Sequence, residues 1–377
     1  MIICSIIISS IVILHIIAYT SMQQGDDEMR RFDYGFLDNG LLSTNLIDLT
    51  GSIYSLKTSG EFRKTQFKTV FAGLELIAKI QSVKGSNAIE GIYASDKRIS
   101  EIVKGGSAPL NHAEAEIAGY RDALNLIHTE YSNSSFSESN ILSLHDAMMS
   151  LSGDELAGKY KQTDNIIVEI DSAGNRRVRF RPTPAAETKQ AMQQLELAYL
   201  VACSNSNISR LLLIPCVILD FLCIHPFRDG NGRMSRLLSL LLLYRNGFDV
   251  GKYISFEEQI YKYKDLYYES LRRSSIGWDS NQNDYFPFIQ NFLFMLYMCY
   301  KELDKRFEVV SGRRVTKTAR IEAAVLGSPT PLSKADVCAI HPDISPTTVE
   351  AVLGKMVKSG QIKKIGSSKA SRYIRNE

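Results

Sequence analysis

The sequence has no C-x-x-C pair and no histidine at zinc-finger spacing from its six cysteines, Cys4, Cys203, Cys216, Cys223, Cys299 and Cys338. A zinc finger is thereby excluded. Several of these cysteines stand in apolar runs such as LLLIPCVILDFLCI, which reads as buried reduced thiols and a reducing, cytoplasmic setting. No period of twenty to fifty residues and no single-residue tract is present, which excludes solenoids and low-complexity scaffolds. Charge of one sign is missing as well. With 44 basic and 41 acidic side chains the formal charge is +3, too balanced for nucleic-acid binding by the whole chain. What is there, 45% apolar and 23% charged residues over 377 positions, belongs to an ordinary globular protein of two or three domains.

A single long apolar run opens the chain. MIICSIIISSIVILHIIAYT has roughly the length of a membrane span, but it carries His15 and several serines and lacks the basic start of a secretory signal. A membrane anchor and an upstream start-site extension both fit, since Met22 and Met29 follow at once. Residues 1–21 are therefore set apart as a leader.

The remainder reads as mainly α. FKTVFAGLELIAKI spaces Phe67, Val70, Phe71, Leu74 and Ile77 for an amphipathic helix, and KGSNAIEGI after it reads as a bend punctuated by glycine and serine. Further helices are expected over AEAEIAGYRDALNLIH and over Ser137 to Met149, capped by Ser137 or Ser139. The exception is NIIVEIDSAGNRRVRF. Ile166, Val168 and Ile170 alternate, Ala173-Gly174-Asn175 makes a turn, and Val178 and Phe180 alternate again. A lone hairpin is marginal and asks for a strand to receive. Two nearly all-apolar segments, SRLLLIPCVILDFLCI and Leu237 to Leu243, are expected as interior helices. Regions at 22–110 and 111–307 then form the helical body.

From 313 to 377 the composition shifts to twelve basic residues against five acidic ones. Three helices, the last opened by Ser345-Pro346, precede a hairpin over QIKKIGSSKASRYIR, which predicts a winged helix-turn-helix with Thr347, Thr348 and Glu350 exposed on the recognition helix.

Between the two interior helices lies HPFRDGNGRMSR. A polar, glycine-rich loop in that position must receive a ligand or leave costly unpaired groups. Gly230 and Gly232 let backbone N–H groups approach phosphate at a helix N-terminus, and Arg233 and Arg236 are spaced to reach one polyphosphate. Asp229 can hold Mg²⁺, Asn231 can hydrogen-bond phosphate, and His225 can act as general base for a hydroxyl. His112, His128 and His145 read as surface or hydrogen-bonded core residues. Tyr261, Tyr263, Tyr267 and Tyr268 read as packing, with one of them available to adenine, and Trp278 as a loop anchor.

The pattern H-P-F-x-D-G-N-G-R-x-x-R resembles the signature of the Fic family at all nine specified positions. The resemblance covers roughly residues 67–294. It implies a Fic-type helical core with a β-hairpin flap, and transfer of AMP from ATP, with Mg²⁺, onto a Ser, Thr or Tyr hydroxyl of a target protein, self-modification and homodimers included. His225 is then the base, Asp229 the metal ligand, Gly230, Asn231 and Gly232 the phosphate cradle, and Arg233 and Arg236 the distal phosphate ligands. Ser86-Asn-Ala-Ile-Glu90-Gly91 resembles the family's inhibitory element, which implies a Glu90–Arg236 pair that excludes the γ-phosphate. The strand holding Asn165, Ile166, Ile167 and Val168 is implied to be the target-binding flap, and Lys161 stands where relatives often carry arginine. Two classes remain open: an inhibited transferase, with AMP removal or another nucleotidyl or phosphoryl transfer as variants, and a nucleotide-sensing regulator that binds DNA through its C-terminal module.

Overall fold

In the computed structural model the described residues are 30–38, 42–105, 107–170, 176–311, 317–326, 328, 330–366 and 371–376. The apolar leader and the expected turn at 173–175 lie outside them. The described chain is mostly helical and forms two compact units, drawn from residues 1–51, 81–249 and 256–296, and from residues 52–80, 250–255 and 297–377. Among the described residues no helix is long and apolar enough to cross a membrane.

The first unit is built around α7 (Arg210–Ile224), whose residues from Leu211 to Ile224 are all buried. Preceding it are α3 (Asp96–Val103), α4 (His112–Glu130), α5 (Glu138–Met149), the strands β1 (Ile167–Ile170) and β2 (Arg176–Phe180), and α6 (Ala185–Ser204). The loop 225–230 then leads into α8 (Asn231–Arg245), equally buried from Met234 to Tyr244, and α9 (Phe256–Lys262) and α10 (Lys264–Ser274) follow. Helices apolar on every face can only be interior ones. Asp220 is the exception inside α7. Its fully buried carboxylate accepts bonds from Tyr34 (2.7 Å), Trp278 Nε1 (2.6 Å) and Tyr285 (2.9 Å) and pairs with Arg30 at 3.0 Å. This hub straps residues 30–38 to the central helix and gives Trp278 its anchoring bond.

One bend is shorter than expected. Of KGSNAIEGI, helix α2 (Lys68–Ile89) takes in KGSNAI and the chain turns only at Glu90-Gly91. Gly85 does not break it: a Cβ there would meet the Glu257 and Glu258 backbone at 3.1–3.2 Å, so the glycine serves close approach. Asn87 donates to the Val83 carbonyl at 2.7 Å and Ser86 is buried, so neither competes with the helix. Ser137 occupies the cap position of α5 but makes no capping bond; the Glu138 N–H donates instead to Glu196 at 2.8 Å.

The second unit contains α1 (Thr44–Gln66) from Ser52 onward, the start of α2, and the end of α11 (Phe286–Ser311). Phe71 stacks on Phe307 (5.3 Å) and meets Tyr253 edge-on (4.8 Å), beside an Arg63–Asp304 pair. Its C-terminal part has a core of its own, formed by Ile321, Val325, Val337, Ile344, Val349, Val352, Leu353, Met356 and Ile362. Three helices supply it, α12 (Lys317–Leu326), α13 (Lys334–Ile340) and α14 (Pro346–Lys358), with a three-stranded antiparallel sheet in the order β3 (Leu332–Ser333), β5 (Arg372–Arg375), β4 (Ile362–Ile365). A reciprocal Ser333–Asp336 cap opens α13, and Ser345 with Pro346 opens α14.

Candidate active site

His225 ends α7 in the left-handed conformation, φ 52°, a geometry uncommon for a residue with a side chain. Its N–H still closes onto the Phe221 carbonyl at 2.9 Å, and its Nδ1–H donates to the Leu222 carbonyl at 3.2 Å. That bond fixes the tautomer and leaves Nε2 with a lone pair. Burial, reinforced by the Lys161 charge, pulls its pKa down to about 4, so the ring is neutral near physiological pH. An oriented neutral imidazole is what removal of a hydroxyl proton requires.

The loop after it is held from both sides. Asn231 Oδ1 accepts the Phe227 N–H (2.9 Å) and its Nδ2 donates to the Phe227 carbonyl (2.8 Å). The side chain expected to bond phosphate thus also closes the loop on itself. Phe227 is fully buried against His145. Since the Gly158 N–H donates to His145 Nδ1 (3.0 Å), His145 carries its proton on Nε2 and donates it to the Asp229 carbonyl (3.1 Å). Sequence reading set His145 aside; the structure makes it a brace of the loop.

Gly230, φ 80°, turns the chain into α8, and Arg233 and Arg236 follow on its first turns, each almost fully buried. Arg236 donates from Nε to Ser86 Oγ (2.8 Å) and from Nη2 to the Ser86 carbonyl (3.0 Å) and Glu90 Oε1 (2.7 Å). Burial works against its charge, but the Glu90 carboxylate more than offsets this and holds the guanidinium pKa above its ordinary value. The spacing of the motif has a local cause. Gly91, φ 78°, stops α2, with its N–H on the Ala88 carbonyl and the Ile92 N–H on the Asn87 carbonyl. Glu90 is thereby the last position before the turn, one helical turn beyond Ser86 on the same face. The carboxylate lies so close to the α8 N-terminus that a Cβ on Gly232 would collide with Glu90 Oε1. The anion-binding end of α8 is filled by the chain's own carboxylate.

Arg233 is not free either. Its Nη1 lies 2.6 Å from Glu116 Oε2 and its Nη2 3.4 Å from Asp229 Oδ2. Both arginines expected to reach a polyphosphate thus pair with carboxylates, Arg236 with Glu90 as the resemblance implies and Arg233 with Glu116, which the sequence did not point to. Glu116 had no signal beyond its place on an amphipathic helix. Asp229 is the exposed member, with its side chain 65% accessible and Oδ1 accepting the Gly230 N–H at 2.6 Å. Among the described residues no group of three or more His, Cys, Asp or Glu stands ready for a metal.

The hairpin starts at this loop. Lys161, buried, donates from its backbone to Pro226 (2.9 Å) and from Nζ to the Ile224 carbonyl (3.1 Å) and Asn165 Oδ1 (2.9 Å), and Asn165 Nδ2 donates to the Phe227 carbonyl (3.1 Å). Lysine thus ties the flap to both sides of His225. The strand begins at Ile167 rather than Asn165, whose side chain is spent on anchoring. Ile167 pairs with Phe180 and Val168 with Val178, while Ile166, Val168 and Val178 remain 51%, 42% and 45% exposed. Tyr263 and Tyr267 pack on Phe294 and Phe288, and Tyr268 is partly exposed. His128 packs on Tyr244, and His112 is exposed beside Glu116.

Residues 135–243 match the model of the Fic/DOC family. Over 117 residues, 30% of this chain and 80% of its counterpart, the sequence is 30% identical to a Fido domain-containing protein of Dictyostelium discoideum. Similar folds include a Fic family protein from Desulfovibrio desulfuricans (TM-score 0.57, 20% identity, 89% of this chain and 97% of that one). A Fic domain containing signalling protein from Bacteroides thetaiotaomicron (TM-score 0.52, 21% identity, 68% and 94%) and Fic-1 from C. elegans (TM-score 0.55, 19% identity, 71% and 74%) are also similar. On these grounds, and on the loop and hairpin that carry the resemblance, the chain belongs to the Fic/Fido domain family.

Proposed function

We propose that the protein is an adenylyltransferase that moves AMP from ATP to a Ser, Thr or Tyr hydroxyl of a protein, and that Glu90 holds it in check. The observation that carries this reading is the juxtaposition around α8: a neutral His225 with Nε2 unbonded, and a buried anion site filled by Glu90 on Arg236. In the reaction His225 Nε2 takes the proton of the target hydroxyl as its oxygen bonds to the α-phosphorus. The bond from that phosphorus to the β-phosphate oxygen breaks and pyrophosphate leaves. The α8 N-terminus and Arg233 hold the phosphates. One exposed carboxylate, Asp229, fits Mg²⁺ of the kind that keeps waters and substrate phosphates as its other ligands, and the ion would neutralise phosphate charge there. The flap offers β1 as an edge on which an extended target segment pairs. Glu90 competes with the γ-phosphate for Arg236, one anion against another.

The test is label transfer from α-³²P-ATP with Mg²⁺ to a cell lysate and to the protein itself, comparing wild type, Glu90→Gly and Glu90→Gly/His225→Ala. Labelling confined to Glu90→Gly is expected. If all three remain unlabelled the reading fails, and loss of label from a modified target on adding wild type would assign AMP removal instead.

A second reading concerns residues 317–376, which we propose form a winged helix that contacts DNA. It is favoured by charge placement. Asp343 and Glu350 pair with Arg320 and Lys334, whereas Lys355, Lys358, Lys363 and Arg375 are exposed and, among the described residues, form no salt bridge; exposed Lys364 lies near Glu350. Thr347, Thr348, Ala351 and Lys355 line an open groove of about 470 Å³ with Thr318 and Val352. Anisotropy of a labelled 30-base-pair duplex is expected to report binding that weakens with salt, with Lys363→Ala/Lys364→Ala reducing the slope by about two. Binding that ignores salt or these lysines would discard the reading.

A further inference from the structure

The two arginines of α8 are matched by two acidic residues of different mechanical character. Glu90 ends a helix and its side chain is 33% exposed, so it can withdraw. Glu116 sits within α4, its side chain 11% exposed, one turn before the fully buried Tyr120, whose hydroxyl donates to the buried Glu257 at 2.9 Å. It has no comparable freedom. The exposed ring of His112 lies 3.3 Å from Glu116 Oε1.

Arg233 reports what this fixed partner does. Its side chain is 2% exposed, and burying a guanidinium without a counter-ion is strongly unfavourable. Glu116 supplies the counter-charge at Nη1 alone. On the opposite edge of the planar group Nη2 has the 3.4 Å contact with Asp229, and among the described residues neither Nε nor Nη1 has a hydrogen-bond partner, so Glu116 holds Nη1 by charge at 2.6 Å. A guanidinium offers its Nε and Nη2 hydrogens as a parallel fork that matches two phosphate oxygens. Held end-on by Glu116, Arg233 keeps that fork free.

We infer that Glu116 is a positioning residue: it fixes Arg233 so that the Nε–Nη2 edge receives a nucleotide's polyphosphate, and it stays in place when Glu90 yields. The inference rests on the nucleotide site proposed above. It assigns the two carboxylates opposite effects, with Glu90 opposing the nucleotide and Glu116 favouring it.

The experiment measures MgATP binding directly by calorimetry on the full chain carrying Glu90→Gly and His225→Ala, so that no turnover is needed. To this parent Glu116→Gln, Arg233→Ala and both together are added, with a thermal melt for each. Glu116→Gln keeps the shape and one acceptor while removing the charge. It is expected to weaken MgATP about tenfold, to weaken it no further once Arg233 is alanine, and to raise KM rather than lower kcat in the Glu90→Gly enzyme. Tighter binding by Glu116→Gln would make Glu116 a second competitor and overturn the inference. Equal weakening with and without Arg233 would reduce it to a structural role, as would lower melting with unchanged affinity. If the parent itself does not bind MgATP, the nucleotide site falls first and this inference with it; if the parent binds but Arg233→Ala makes no difference, only the inference falls.

Discussion

His145 lies flat on Phe227, with ring centroids 3.7 Å apart and planes 2° from parallel. The contact couples α5 to the loop carrying the signature, and the same ring bonds the Asp229 carbonyl and the Gly158 N–H. Burial holds the His145 pKa below its usual value, in keeping with a neutral ring that accepts at one nitrogen and donates at the other. Replacing His145 by alanine opens a cavity and leaves the partly buried Gly158 N–H without its acceptor, a loss of about 2–4 kcal/mol in denaturant unfolding. His145→Phe is expected to recover part of that stability through stacking while AMP transfer by the Glu90→Gly enzyme stays low, because the loop bonds are still missing.

The depressed pKa of His225 has two consequences with a definite sign. In the unfolded chain the ring takes up its proton near pH 6.5, but in the folded protein only near pH 4. Stability therefore declines as pH falls from about 6.5 to 4 and is level above that window. The His225→Gln variant should lose a share of this slope, on the order of 2 to 3 kcal/mol, in urea titrations at pH 4.5 and 7. On the proposed reading, turnover by Glu90→Gly stays level from pH 8 down to about 5. A drop centred near 6.5 would show that the base sits in water.

For the Glu90–Arg236 pair the expected size of release follows from population. A partly exposed carboxylate on a buried guanidinium contributes about 2–3 kcal/mol, so the unpaired state is on the order of 1% of molecules. Glu90→Gly should raise initial transfer rates about 30- to 100-fold. Arg236 keeps its two bonds to Ser86 in that variant, so the melting temperature should fall by only a few degrees.

The Asp220 hub is purely a matter of stability. Arg30→Met leaves a fully buried carboxylate without its counter-ion, and breaking such a pair costs about 3–5 kcal/mol. Unfolding in guanidinium should show that loss, while the double variant Arg30→Met/Asp220→Asn should recover part of it, since the charge that needed compensation is gone.

The residues that the structure brings together were legible where they are local: His225, Asp229, the glycines and both arginines fall within twelve consecutive residues, while Ser86, Glu90 and Gly91 came from the resemblance and not from a helical period. The fold class was legible for the same reason: α7 and the stretch 237–243 of α8 are nearly all apolar. What escaped reading depends on partners far along the chain. Glu116 meets Arg233 and Asp220 meets Arg30, Tyr34, Trp278 and Tyr285, and no local pattern announces either. The supposed bend at KGSNAI failed because propensity was weighed without packing: Gly85 is small for the Glu257 backbone, not for a turn.

The hairpin carries a liability of another kind. Two strands with exposed Val168 and Val178, preceded by exposed Ile166, form the kind of open sheet edge on which like chains stack. Exposed Arg176 and Arg177, the latter tied to Glu169 at 3.0 Å, place charge on that surface and act as gatekeepers against self-association. On the proposed reading, in which this hairpin receives a target strand, its arginines guard that edge against self-pairing, and replacing both with threonine should make a preparation scatter more light on standing than the wild type does.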